Sequence, residues 1–229
     1  MYKYLFFIIS LFSLLKINAQ TYTLSNSQTT QIDILRGSPA RVSDFTSFGA
    51  EENDLTNIKG SPYYMDFKIG EVFINDKSLG RHFLRYNGLS DNIEFKKNDE
   101  VFTVNKIDGM KVIIEDITFK LYNKSGEKTF FLKFNEGETS LLLSPRKSFK
   151  KKVLAKNSYS NDIPAKFVDE YNYYILKDNE IIEVKLKKKD ITKVLEEHKN
   201  KMLDYASDNK LNFKNEDEVV KLIDYYNSI

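Results

Sequence analysis

The stretch Val101-Phe-Thr-Val-Asn-Lys-Ile-Asp-Gly-Met-Lys-Val-Ile-Ile-Glu-Asp-Ile-Thr-Phe-Lys-Leu-Tyr122 decides the fold class. Asp108-Gly109 tolerates the paired positive φ angles of a type I′ turn better than almost any other dipeptide. It therefore reads as a hairpin turn between Val101-Phe-Thr-Val104 and Lys111-Val-Ile-Ile114. From Met110 to Tyr122 apolar residues fall on both faces of a strand: Val112 and Ile114 on one, Ile113, Ile117, Phe119 and Leu121 on the other. Such a strand belongs near the centre of a sheet, covered on both sides for part of its length. On that reading Glu115 and Asp116 project to opposite faces and cannot form a carboxylate pair by themselves.

Outward from this stretch the same grammar continues from about residue 68 to 188. Asn123-Lys-Ser-Gly126 separates Ile117–Tyr122 from Lys128–Leu132, and Asn135-Glu-Gly137 separates Phe130–Phe134 from Thr139–Leu143. Lys177-Asp-Asn-Glu180 separates Tyr171–Leu176 from Ile181–Leu186. Turns at roughly ten-residue spacing mark an antiparallel layer. Phe130, Leu132 and Phe134 alternate with Thr129, Lys133 and Asn135. Ile182, Val184 and Leu186 alternate with Glu183, Lys185 and Lys187, and Ile93 and Phe95 with Glu94 and Lys96. One dry and one wet face implies a sheet covered on one side.

At Asp190 the period changes. Ile191, Val194, Leu195, His198, Met202 and Tyr205 follow helical spacing, with Asp190 as the expected N-cap of a helix over about 190–207. Asn215, with Glu218 three residues on, opens a second helix over 216–227 whose apolar face is Val219, Leu222, Ile223 and Tyr226. Leu211 and Phe213 in the linker are expected to plug into the core. The fold class is thus α+β: a mainly antiparallel meander of about eight to ten strands packed with two C-terminal helices. Residues 61–229 form this single domain. Residues 20–60 read as a loosely ordered lead-in, rich in Ser, Thr, Gln and Asn at its start, with one short strand at Gln31–Leu35.

The N-terminus carries a different message. Lys3 precedes an apolar run from Leu5 to Leu15, and Ile17-Asn18-Ala19 ends in a small residue. This is the order of a cleavable export signal, and the run is too short to span a bilayer. Cleavage near Ala19 would leave Gln20 first and direct the protein to the periplasm or envelope surface. Lys3 and Lys16 leave with the signal, so the 35 Lys+Arg of the full chain fall to 33, equal to the 33 Asp+Glu. A zero balance offers no global field for nucleic acid. The chain has no cysteine, so it has no disulfide and no cysteine for a lipid anchor, and packing alone must hold it. Charged strands and a helical C-terminus argue against an outer-membrane barrel.

Lys59-Gly-Ser-Pro-Tyr-Tyr-Met-Asp-Phe-Lys68, Glu71-Val-Phe-Ile74 and Leu84-Arg-Tyr-Asn87 resemble a group of exported proteins of Bacteroidota. That group shares a Gly-Ser-Pro-Tyr turn, a β-rich middle and a lysine-rich helical tail. Here the tail is Lys187-Lys-Lys-Asp-Ile191 and Leu222-Ile-Asp-Tyr-Tyr-Asn227. The resemblance would cover most of the mature chain. It implies export and architecture and carries over no catalytic residue.

The chemistry-bearing residues are few. His82 and His198 are the two histidines, and no His-Glu-x-x-His, nucleophile elbow or phosphate-cradling glycine loop occurs. Each histidine is explained by its strand or helix, so no metal, cofactor or catalytic residue is expected. One cationic group stands out: Arg146, Lys147, Lys150, Lys151, Lys152 and Lys156. It reads as a solvated edge strand or as a contact for a partner or membrane surface. The expected function is that of an exported, non-catalytic envelope protein that binds a protein or surface partner. The alternatives are a carrier of a small amphiphile or lipid, held between sheet and helices, and a hydrolase with an unrecognised carboxylate site.

Overall fold

The structure, a computed structural model, describes residues 35–40, 58–157 and 159–229. The export signal, most of the lead-in and residues 31–34 of its expected strand lie outside the described residues.

Eleven strands form one antiparallel sheet: β1 Arg36–Pro39, β2 Lys68–Ile74, β3 Lys77–Asn87, β4 Asn92–Lys97, β5 Glu100–Val104, β6 Met110–Ile114, β7 Ile117–Lys124, β8 Glu127–Lys133, β9 Ser140–Lys150, β10 Lys166–Lys177 and β11 Glu180–Val184. Their spatial order is β1-β5-β4-β3-β2-β6-β7-β8-β9-β10-β11. Helices α1 Lys188–Val194, α2 Lys199–Asp208 and α3 Glu216–Asn227 follow. The protein is a sheet-dominated α+β fold, with one strand more than the upper expectation.

Two-residue turns do much of the local work. Asn75-Asp76, Asn98-Asp99 and Asp178-Asn179 all have positive φ at both positions, between 47° and 63°. This is the type I′ signature that matches the right-handed twist of the flanking strands. Asp108-Gly109 behaves otherwise. Only Gly109 has positive φ, 77°, and Met110 N–H donates to Ile107 O at 3.1 Å. The turn feeds β6 but does not pair it with β5: β6 pairs with β2 and β7, and β5 with β4 and β1. The expected hairpin is therefore corrected. The single central strand from Met110 to Tyr122 is also two strands, folded at Glu115, whose φ is 55°. β6 still occupies the centre of the order. The hairpin brings Val112 opposite Phe119, so Val112, Ile114, Phe119 and Leu121 enter the same core.

The β5-to-β6 connection shows the shape of the sheet. β5 and β6 run in the same direction, so in a flat sheet Val104 and Met110 would stand roughly 30 Å apart. Six Cα steps reach at most about 22 Å. The sheet must curl, so that β3 faces β7, β8 and β9. Tyr86 of β3 packs on Phe119 of β7 (centroids 4.9 Å) and Phe130 of β8 (6.4 Å). Lys147 N–H of β9 donates to Gly88 O just beyond β3, at 2.9 Å.

The concave side is filled by Val72, Leu84, Tyr86, Ile93, Phe95, Met110, Val112, Ile114, Phe119 and Phe130, all almost fully buried. A second cluster lies where the helices cover β9–β11: Leu141, Ile175 and Val184 against Ile191, Leu195, Met202, Val219, Leu222 and Ile223. Leu141 and Leu143 are two residues apart and so share a face of β9. Leu143 belongs to the first cluster and Leu141 to the second, and Phe134 and Tyr173 pack against both. These two clusters are continuous, and Phe131, Leu142 and Tyr174 form a third. Fully burying each such side chain contributes roughly 1.5–3 kcal/mol, which is how a chain without cysteine holds together.

The helical tail departs from expectation in one place. Asp190 is not the N-cap. Lys187 holds that position, and Asp190 lies in the first turn, accepting from Lys185 N–H at 3.3 Å. The helix also breaks at Leu195 into a 3₁₀ turn, Glu196–His198, before α2. α3 begins as expected: the Asn215 side chain accepts from Glu218 N–H at 3.1 Å. The Glu218 carboxylate reaches back to Asn212 N–H instead of Asn215. Leu211 and Phe213 pack against the second cluster as expected.

Candidate interaction site

Buried ionisable groups are the first place to look for chemistry. β3 and β4 bring Arg85 opposite Glu94, and the guanidinium donates to Glu94 Oε2 through both Nε and Nη2 at 2.7 Å. Asn87 donates to Glu94 Oε1 at 2.8 Å. The Arg85 guanidinium also stacks on Tyr63, 3.3 Å from its ring centroid. Glu94 was read as solvent-facing from its strand alternation, but it is 2% exposed. Asp91 is equally buried. Its Oδ1 accepts from Tyr86 O–H (2.7 Å) and Phe130 N–H (3.3 Å), and its Oδ2 meets Lys106 Nζ (2.6 Å) and Arg146 Nη1 (3.2 Å). Lys106 donates onward to Lys128 O at 2.8 Å. One carboxylate thus ties the β3–β4 turn, the β5–β6 crossover, β8 and β9 together. Burial first, and then the Asp91 carboxylate, push the Tyr86 phenol far above its ordinary range. These groups close the curled sheet, and their hydrogen-bonding capacity is spent on doing so.

The histidines are accounted for in the same way. His82 is buried, with Nε2 3.1 Å from Leu79 O, and His198 packs its ring 5.6 Å from that of Tyr226. No group of three His, Asp or Glu residues placed to hold a metal ion occurs among the described residues.

Between β11 and α1 lies a cavity of about 450 Å³. Its wall carries Asp178, Glu180, Glu183, Asp190, Glu196, Lys177 and Lys193 around Ile182, Val184 and Val194. A charged lining of this kind suits the acyl chain of an amphiphile poorly.

Of the cationic residues singled out from the sequence, Lys150, Lys151, Lys152 and Lys156 lie at or beyond the outer end of the β9–β10 ribbon, whereas Arg146 and Lys147 sit lower on β9 and turn to Asp91 and Asp169. The ladder between these strands runs from Ser140↔Leu176 out to Lys150↔Lys166, whereas β8 reaches β9 only at Leu142 and Leu143. The ribbon therefore extends beyond its neighbouring strand. Arg146 meets Asp91, Lys147 meets Asp169, Lys150 lies 3.8 Å from Glu170, and Lys152 lies 2.8 Å from Asp162. The Lys152 ammonium, and then Ala155 N–H, hold the Asp162 carboxyl below the usual carboxylate range. Lys151 and Lys156 are exposed and carry no ion pair among the described residues.

Beyond Lys150 the ribbon ends in a tip, described at residues 151–157 and 159–165, closed by paired hydrogen bonds between Val153 and Ile163 (2.9 and 2.8 Å). Four large apolar side chains stand in solvent there: Val153 (50% exposed), Leu154 (67%), Tyr159 (99%) and Ile163 (54%). Of the remaining exposed ones among the described residues, Ile69 and Phe83 oppose each other as a pair on β2–β3, and Ile107, Tyr171 and Ile229 lie in other parts of the chain. Reasoning from sequence found the lysines of this tip and missed its apolar residues. The available signal was Val153-Leu154 and Ile163 lying between lysines without belonging to any alternating strand.

No protein-family model matches the chain, and none of the curated proteins or solved structures compared with it matches. Among the described residues no helix is long and apolar enough to cross a membrane.

Proposed function

We propose that the protein is an exported, non-catalytic module of the cell envelope that docks on an envelope partner through the tip of its β9–β10 ribbon. The observation that carries this reading is the concentration of exposed side chains at Lys151, Lys152, Val153, Leu154, Lys156, Tyr159 and Ile163, on an element anchored at its base. Such a patch on an otherwise charged surface marks an interaction site. Lys3, the Leu5–Leu15 run and Ala19 support export. The non-catalytic reading is supported by Asp91 and Glu94, whose bonds are used inside the fold.

The test is fractionation of the source organism carrying a C-terminally tagged chain. The processed protein should begin at Gln20 and sediment with the envelope, and Leu154→Ser/Tyr159→Ser should move it to the soluble fraction. Equal sedimentation of wild type and variant would sink the docking reading. An uncleaved cytoplasmic chain would sink the export reading.

A further inference from the structure

We infer that the surface on which the ribbon tip docks is an anionic lipid bilayer interface. This rests on the proposal that the tip is the docking element, and names what it meets.

Charge is the first argument. Residues 146–170, the two facing legs of the outer ribbon, carry Arg146, Lys147, Lys150, Lys151, Lys152, Lys156 and Lys166 against Asp162, Asp169 and Glu170, a local net charge of +4 in a mature chain expected to be neutral overall. Lys150, Lys151, Lys152 and Lys156 stand closest in the chain to the apolar residues of the tip. An anionic headgroup layer is the complementary surface.

Shape is the second argument. Val153 and Ile163 are a directly opposed, hydrogen-bonded pair, so their side chains leave the same face of the ribbon. Leu154, the next residue, leaves the other face. Tyr159 sits at the apex, 99% exposed. Apolar groups on both faces and at the apex suit insertion tip-first into a medium that surrounds the ribbon. A protein groove would cover one face.

Depth is the third. Lys150, Lys151 and Lys152 lie within three residues of Val153, a distance of up to about 10 Å along a strand. Interfacial elements bury their apolar groups roughly 5–10 Å below the headgroups. With Val153, Leu154, Ile163 and Tyr159 at that depth, these lysines fall among the phosphates. Lys156, beyond Leu154, has a stem long enough to reach back to them. Tyr is suited to the boundary, since its ring is apolar and its hydroxyl wet. Part of the tip backbone is already partnered: Tyr159 N–H donates to Asn157 Oδ1, Ser160 N–H to Asn157 O, and Ala155 N–H to Asp162.

The chain contains no tryptophan, so Tyr159→Trp places a unique fluorophore at the apex. Its emission should shift to the blue and become shielded from acrylamide on mixed phosphatidylglycerol–phosphatidylcholine vesicles. Pure phosphatidylcholine vesicles should leave it unchanged, and added salt should reverse the shift. Lys151→Gln/Lys156→Gln breaks no ion pair among the described residues, so the described fold is not at risk. Each lysine near an anionic surface is worth about a five-fold change in partitioning, so the double variant should bind on the order of 20-fold more weakly. An unshifted emission on every vesicle overturns the inference. So does equal binding to pure phosphatidylcholine, or full binding by the lysine variant. If vesicles fail while Leu154→Ser/Tyr159→Ser still leaves the envelope fraction, the tip docks on an envelope protein. If that variant stays with the envelope, the docking proposal itself fails.

Discussion

Asp91 shows how much a single residue carries in this protein. Its carboxylate meets a phenol, a backbone amide and two cations, from four separate parts of the chain. Its φ is 55°, a backbone angle that Asn tolerates and Ala does not. Asp91→Asn keeps the turn and removes the charge, leaving Lys106 and Arg146 unneutralised at a buried point. Breaking a buried pair from one side costs about 3–5 kcal/mol. Lys106 and Arg146 are 20% and 33% exposed, so water takes up part of that, and the expected loss is about 3 kcal/mol. Asp91→Ala should lose roughly 1 kcal/mol more for the left-handed backbone. Urea unfolding of the three proteins checks both the size and the order. Nothing in the sequence near Asp91 shows this role, because Lys106, Phe130 and Arg146 reach it only after β5, β8 and β9 are in place.

Turns and caps, by contrast, were legible element by element, because their chemistry is local. Asp178-Asn179 was read as a turn and has the two positive φ angles such a turn requires. Asn215 was read as a cap and accepts the Glu218 N–H. Asn215→Ala should therefore cost about 1 kcal/mol in urea unfolding, the usual value of an N-cap side chain. An unchanged midpoint would mean that the tertiary burial of Val219, Leu222 and Ile223 holds the first turn without the cap. Asp190 failed as a cap for a reason outside its own residues: β11 ends at Val184 and the chain turns at Lys187, whose N-cap position is set by where the helix docks on the sheet. Asp108-Gly109 failed similarly. The dipeptide permits a hairpin, but β6 is drawn to β2, where Val72, Val112 and Ile114 bury together.

For the whole molecule, the two histidines test the non-catalytic reading. His82 and His198 sit in packed positions, and Gln retains an amide able to donate to Leu79 O. His82→Gln/His198→Gln should leave folding, export and envelope retention as in the wild type, measured by circular dichroism and by the same fractionation. Loss of the host phenotype by a folded, correctly located double variant would refute that reading, since His is the commonest proton-transfer group.

Period, turn chemistry and composition acted within ten residues or so. From them the sequence by itself determined that strands precede helices, where most turns fall, which residues face a core, and that no disulfide assists folding. Those are properties of backbone sterics and of apolar alternation, and they need no partner segment. Strand order, the curl of the sheet and the burial of Asp91 and Glu94 were decided only by the tertiary structure. So was the projection of Val153, Leu154, Tyr159 and Ile163 from a ribbon that outreaches its neighbour. Each depends on which distant segments share a register, and long-range register is set by the competition of all apolar faces for one core.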